Sequence, residues 1–538
     1  MSSPPTGPLM PKAPPRFAHA LEAILLAAAF AAAHTQSPLY YSNQNQYFLH
    51  GLAQGGRGQL ARDWLANTRD PTPVFSALVA AGYRHLGEWS FQAAYFITLM
   101  GYFASARWLV GALPGVPDSR AFRLAFAAIF TVAHAAVVRV ASVQLVGVDY
   151  PWYLQCGLAN QYLLGPGLQP SVSGTLLLTA LAAFANGRPT LAGALAGLAC
   201  AFHSTYLLPA GLLVLGFVVV TMRDPHGGPI AFRAMLAAAS VAIPTALYTL
   251  LRFGSENQQT FAEAQRILAE VRIPHHAVID RWFARPDAAQ LAWAAAGLVL
   301  LRRSPLFVVL ALAAAVGLAL SLVQYQTGSH TLALLFPWRI SAVLVPVATA
   351  VVVANLAALL PASRPVAWVA GVIVLALAGG GVWVTAARVG YQMNDAELEL
   401  LDYVRATAAP GDTYLLPVGF PPVGTGRGTA STTFTPPPRP TAGSNLIPVD
   451  LQRFRLYTGV PVYVDFKSVP YFDLEVLEWQ RRLRQCEAWY ADWTAPGRVQ
   501  ELRAEGITHV VAPAAKPIAA EFLKEVHADA AYIVYEVK

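Results

Sequence analysis

Residues 305–324 read PLFVVLALAAAVGLALSLVQ, a run with no charged position. A helix of about 20 such residues covers the roughly 30 Å hydrocarbon core of a bilayer, so the reading is a membrane span. Comparable apolar windows recur near residues 17–34, 90–112, 120–142, 171–187, 189–203, 205–222, 232–252, 287–302, 333–359 and 364–387. The expected fold is therefore an all-α polytopic membrane domain of about eleven transmembrane helices over residues 17–387. Composition agrees: the 538 residues are 55% hydrophobic and 12% charged, against roughly 25% charged in soluble domains. The first window, following Lys12 and Arg16 and ending in small residues, also fits a signal peptide. The many spans after it favour a retained first helix.

Positive residues in short connections set the expected orientation. With the tail 1–16 in the cytoplasm, the inside turns carry Lys12 and Arg16, then Arg107, Arg120 and Arg123, then Arg188, Arg223 and Arg233, Arg302 and Arg303, and Arg364. The long polar connections 35–89, 143–170 and 253–286 then lie outside, and so does the segment from residue 388. There the composition turns soluble, with strand-like TYLLPV, VPVYVDF, THVVAP and AYIVYEV alternating with helical stretches. That alternation predicts a small extracytoplasmic α/β domain over 388–538. Its Pro/Gly/Thr-rich stretch 419–445 is expected to be a flexible loop, or a flap that orders over a substrate. The formal charge of +7 reads as topology and lipid-surface charge, because the arginines form no basic stripe with interleaved aromatics. No nucleic-acid partner is expected.

Candidate chemistry falls in the outer connections. Asp63 and Asp70 are acids of the first, and Asp149 is the acid of VGVDYPWYLQCGLANQYLLGPGLQPS in the second. The Asp70-Pro71 pair favours an extended or turn conformation that would display the Asp70 carboxylate at a loop tip, whereas Asp63 has a structural alternative beside Arg62 or Trp64; a structural role is open for both. Amides such as Asn45 and Gln161, set among aromatics, suit either a sugar-binding surface or an interfacial belt. YFLHGLA is expected to start a helix along the membrane surface. His203 and Arg339 sit at the ends of apolar helices, where an ionisable group needs water, a partner or a cavity; a snorkelling interface anchor is the alternative for Arg339.

RIPHHAVIDRWF, residues 272–283, adds Arg272, His275 and His276. Pro274 biases Ile273 to an extended shape, and in an extended segment adjacent histidines point to opposite sides, which argues against a shared metal. A metal site using one of them with His203 or His330 stays open, but no H-x-x-x-H or H-E-x-x-H spacing supports it, and no cofactor is expected. An anion received by Arg272, with histidines that change charge near neutral pH, is a more natural reading than a metal, and a solvated interfacial loop is its alternative. Cys156, Cys200 and Cys486 lack paired spacing; a bridge between Cys156 and Cys486 is permitted outside but has no local support.

The segments NQNQYFLHGLA, DWLANTRDPTPVFS, GLANQYLLGPGLQPS, RIPHH and LLFPWRIS, with the topology, resemble the GT-C class of polytopic membrane glycosyltransferases and a related family of bacterial integral membrane proteins. The resemblance implies a multi-pass protein of the bacterial inner membrane that acts as a hexosyl- or pentosyltransferase on a polyprenyl-phosphate-linked sugar. Asp63 or Asp70 would fill the first-loop acid role and Asp149 the second-loop one. Arg272, His275, His276 and Arg339 would face the phosphate, with His203, Asn45 and Gln161 beside the substrate. The sequence departs from the class where SNQNQ stands in place of an acidic pair, and it has no DxD or ExD. A noncatalytic membrane binding or assembly protein, or a lipid carrier of the same fold, is the alternative.

Overall fold

A computed structural model describes residues 17–34, 37–255, 257–387, 389, 395–418 and 451–538. The tail 1–16 and the stretch 419–445 lie outside the described residues. The 305–324 window becomes the helix Pro305–Thr327: the Ser304 hydroxyl accepts from Leu306 N, Pro305 opens the first turn, and left-handed Gly328 closes the last.

Among the described residues, six helices are long and apolar enough to cross a membrane: Leu168–Ala185, Ser204–Thr221, Gly228–Phe253, Pro305–Thr327, His330–Ala358 and Arg364–Ala386. The bent pair Arg120–Val132 and Ala136–Val146 would make seven. This falls short of the eleven expected. His19–His34 and Pro189–Phe202 are apolar but shorter, Arg285–Leu300 has 16 residues, and Trp89–Gly111 is long but interrupted by Gln92, Thr98, Ser105 and Arg107.

Burial divides these helices into inner and outer ones. Ser341–Ala358 is buried along nearly its whole length, whereas Gly228–Phe253 and Arg364–Ala386 turn large apolar side chains outward, Leu250 at 70% and Trp368 at 72% exposure. Outward apolar faces of this extent belong against lipid, and the chain is an integral membrane protein. Small residues set the closest approach. A Cβ on Gly193 or Gly197 would lie 2.1 or 2.6 Å from the carbonyl oxygens of Ala234 and Ala238, so this glycine pair lets Pro189–Phe202 pack on Gly228–Phe253.

The C-terminal segment forms a four-stranded sheet of β1 (Tyr414–Leu415), β2 (His509–Pro513), β3 (Leu523–Ala528) and β4 (Tyr532–Val537), in the order β1-β2-β4-β3. β1 and β2 are parallel; β2–β4 and β3–β4 are antiparallel. The helix Asp473–Ala491 buries Val476, Trp479, Leu483 and Trp489 in the core beside β2. Among the described residues the expected strand VPVYVDF makes one bridge, Tyr414 with Val462 beside β1, and the fourth strand is β3, at the opposite edge of the sheet. Val462 N is already committed elsewhere, to the Asp63 carboxylate at 3.0 Å.

The first connection is the seam between this unit and the helices. YFLHGLA becomes the helix Leu49–Gly55, but Phe48, Leu49 and Leu52 are buried in the main core instead of lying along the membrane surface. Gly58, at φ +51°, brings its backbone against Gly459, so that Gln59 N donates to Gly459 O at 2.7 Å. Cys156 and Cys486 are both free and buried, each with a local partner: Gln290 Nε2 contacts the Cys156 sulfur, and the Cys486 thiol faces Leu416 O.

Candidate functional site

A cavity of about 540 Å³ lies where the first connection, the second connection, the 257–283 segment and the C-terminal unit meet. Its size is that of a small-molecule site. Arg272, His275, His276, Arg339, His203 and Gln161, all expected at the substrate, line it together, and Lys467 joins them.

Two local breaks in helix geometry deliver the cations. Asn257 caps the helix Gln258–Arg266, whose last stretch widens into the π-helical turns Ile267–Arg272, a form common at functional sites. Pro274 then opens a short helical turn, Pro274–Ala277. This corrects the extended reading: proline is as much at home in the first turn of a helix as before a strand. The two histidine rings consequently lie on the same side, with centroids 4.2 Å apart, and both face the cavity. In LLFPWRIS, Phe336 adopts a left-handed backbone at φ 49° before the 3-10 turn Pro337–Ile340, a conformation costly for a bulky residue. That turn presents Arg339.

Arg339 Nε donates to Gln161 Oε1 at 2.8 Å and Nη1 donates to the Thr205 hydroxyl, while the guanidinium lies over Phe336 and Tyr206. His203 shares hydrogen bonds with the Tyr47 and Thr205 hydroxyls, both at 3.1 Å. Arg272 is only 6% exposed. Its Nη2 donates to Lys467 O, and its Nε has no protein acceptor. Lys467 Nζ donates to Asn43 Oδ1 at 3.1 Å. Among the described residues, none of Arg272, Arg339 and Lys467 has a carboxylate in ion-pair range. Arg272 is buried and Arg339 and Lys467 are half-buried; a cation drawn out of water without a counter-charge is costly, so three around one cavity are suited to an anion.

The histidines add no positive charge. Burial, then His276, Arg272 and Lys467, hold His275 well below its usual value; burial pushes His276 down to about 3 despite its Nδ1 bond to Ala159 O at 2.7 Å. At neutral pH both are uncharged, which corrects the expected charge change there. Burial and the neighbouring Arg272 bring Lys467 down to about 7.

The acids separate. Asp63 is fully buried and bonded to Arg455 Nε at 2.7 Å and to Leu65 N, Ala66 N and Val462 N. Asp149 is fully buried against Arg139, at 2.7 and 2.9 Å, and caps Trp152 N. Neither lines the cavity. Asp70 directly precedes the lining residues Pro71 and Thr72; its Oδ1 accepts from Thr72 N, and its Oδ2 is buried without a partner. Asp473 lines the cavity and accepts from the Ser255 hydroxyl at 2.8 Å. Asn45 is buried away from the lining, with both side-chain amide atoms lacking partners.

Lys467, Asn43 and Tyr471 are lining residues that the sequence reading missed. One signal was present: Lys467 is one of only five lysines in an arginine-rich chain, and lysine is the cation whose pKa burial moves most readily.

A family model described as Domain of unknown function (DUF6798) matches residues 440–486, the stretch that contributes Lys467, Tyr471 and Asp473. No curated protein sequence matches the chain. Among solved structures, that of ArnT from Cupriavidus metallidurans bound to undecaprenyl phosphate is similar over 96% of each chain, at 14% identity and a TM-score of 0.38.

Proposed function

We propose that the protein is a GT-C-like membrane glycosyltransferase that takes a sugar from a polyprenyl-phosphate donor at the outer face of a bacterial inner membrane. In this reading the N-terminus is cytoplasmic, the shorter helices bring the crossings to about eleven, and the C-terminal unit is extracytoplasmic. The observation that carries the proposal is the convergence of Arg272, Arg339 and Lys467, without carboxylate partners, on a cavity whose other walls include Leu250, Phe253, Leu334 and Leu335. Leu250 and Leu335 are also largely exposed, so an isoprenoid chain would have an apolar wall to follow out of the cavity while its phosphate stays with the cations.

Of the three expected acids, Asp70 is retained as the base. It would take the proton of the acceptor hydroxyl as that oxygen bonds to the anomeric carbon, and the bond from that carbon to the phosphate oxygen breaks. Arg272, Arg339 and Lys467 would neutralise the departing phosphate, with no metal required. Asp63 and Asp149 are assigned to the architecture. The test is transfer of labelled sugar from polyprenyl-phosphate donors by the full chain in vesicles. Asp70→Asn is expected to abolish transfer, and folded Asp63→Asn and Asp149→Asn to retain it. Unchanged transfer by Asp70→Asn would remove the base assignment.

A noncatalytic lipid-binding role is the second reading. It is favoured by SNQNQ, whose amides hold the C-terminal unit where an acid pair would otherwise stand: Asn43 meets Lys467 and Gln46 meets Val469. Polyprenyl-phosphate binding without transfer under any donor would select it.

A further inference from the structure

The loop 465–473 enters the cavity from the C-terminal unit and is fixed at several points. Gln46 Nε2 donates to Val469 O at 2.9 Å while Val469 N donates to Gln46 Oε1 at 2.7 Å; the Ser468 hydroxyl donates to Asn45 O at 3.1 Å. Asp465, the acid nearest in sequence to Lys467, is occupied by Arg455 and by Ser468 N. Lys467 is thus held at the cavity wall by one neutral amide oxygen, beside Arg272 and the uncharged His275 and His276. Tyr47 and Tyr471 complete that wall. The buried Arg272 Nε without an acceptor marks the same place as short of an anion.

We infer that Lys467 makes this cavity select a phosphate group carrying two negative charges over one carrying a single charge, and that binding such a group places a proton on Lys467. The inference rests on the cavity being a lipid-phosphate site and deepens it: the terminal phosphomonoester of a polyisoprenoid is held more tightly than a sugar-bearing phosphodiester. The charge argument is direct. Arg272 and Arg339 are cationic at all working pH values, so only Lys467 can supply a third charge on demand. Its folded value of about 7, without a bound anion, leaves it largely neutral on the alkaline side. A dianion beside it favours the ammonium and draws a proton from solvent.

The test is calorimetric titration of the full chain in detergent with farnesyl phosphate, with its O-methyl phosphodiester, and with inorganic phosphate, in buffers of different ionisation enthalpy. At about pH 8, where a phosphomonoester is doubly charged, wild type is expected to prefer the monoester and to take up close to one proton. Its affinity is expected to fall by about tenfold per pH unit above about pH 7.5. Lys467→Arg should keep the preference without proton uptake; Lys467→Gln should lose both. A Lys467→Gln protein that retains preference and proton uptake overturns the inference while leaving the lipid-phosphate reading standing. Wild type binding neither lipid overturns that reading and the inference with it. Inorganic phosphate binding as tightly as farnesyl phosphate assigns the site to the free ion and overturns the lipid assignment.

Discussion

Asp63 and Arg455, 392 residues apart in sequence, meet at 2.7 Å in a fully buried ion pair. Asp63 also takes three backbone N–H groups, from Leu65, Ala66 and Val462, so both carboxylate oxygens are engaged. The pair ties the first connection to the C-terminal unit within a few residues of the loop bearing Lys467. Removing one partner of such a pair leaves a buried charge exposed to its desolvation cost. Asp63→Ala is therefore expected to lose about 3 kcal/mol of stability, near the low end for buried pairs, because Asp465 still neutralises Arg455. Thermal melting of the purified full chain checks this. In the double variant with Arg455→Met, the combined loss should be smaller than the sum of the single losses. An unchanged melting temperature in Asp63→Ala would remove the architectural role.

That relationship also marks what local sequence could and could not carry. Uncharged runs such as 305–324 announce their helices because twenty apolar residues have few alternatives in water. The cationic character of RIPHH was equally legible, and the cavity does gather Arg272, His275 and His276. Its conformation was not, since Pro274 suits both a helical first turn and an extended segment. Asp63, Asp70 and Asp149 are the same residue type in similar polar connections. What separates them is whether an arginine reaches them, and Arg455 comes from a distant unit. Lys467 was hidden for the same reason, because its surroundings are built by the first connection and by Arg272.

Gly157 offers a test of how the amides are positioned. A Cβ there would lie 2.3 Å from Ala342 N and 2.4 Å from the Ser341 backbone carbon, atoms at the start of a buried helix that cannot give way. The same turn carries Leu158, whose N–H donates to the Ser341 hydroxyl at 2.8 Å, and Gln161, which receives Arg339. Gly157→Ala should cost about 1–3 kcal/mol through overpacking. It should also weaken farnesyl phosphate binding several-fold by shifting the Gln161 partner of Arg339. A variant that melts lower but binds as wild type would show that Gln161 does not position Arg339.

The reciprocal Gln46–Val469 bonds predict an effect confined to the cavity. Gln46→Leu removes a donor and an acceptor together and leaves the buried Val469 N and O without partners, a penalty of about 1–3 kcal/mol for an unsatisfied buried group. Because the same loop carries Lys467, farnesyl phosphate binding should weaken more than it does in Asp149→Asn, a substitution outside the lining. Equal binding in the two variants would show that the loop holds its position without the amide clamp.

His276 gives a prediction with a definite sign in pH. Its ordinary value is 6.5, and the folded protein lowers it to about 3, with burial as the main cause. Above pH 6.5 the folded and unfolded chains both hold a neutral ring, and stability is at its full value. Below that, the unfolded chain binds a proton that the folded chain refuses, so stability falls with falling pH until the folded value is reached. The loss amounts to at most about 1.4 kcal/mol per pH unit for one group. The melting temperature of wild type is therefore expected to drop between about pH 7 and about pH 5. His276→Asn keeps a donor for Ala159 O and has no titrating ring, so it should show a shallower drop across that window. His275 is held low by the same wall and should retain part of the slope in that variant, to be removed by adding His275→Asn. If the acid slope of the double variant matched that of wild type, both rings would have to be accessible to protons in the folded state, and the cavity wall would carry two further positive charges at low pH.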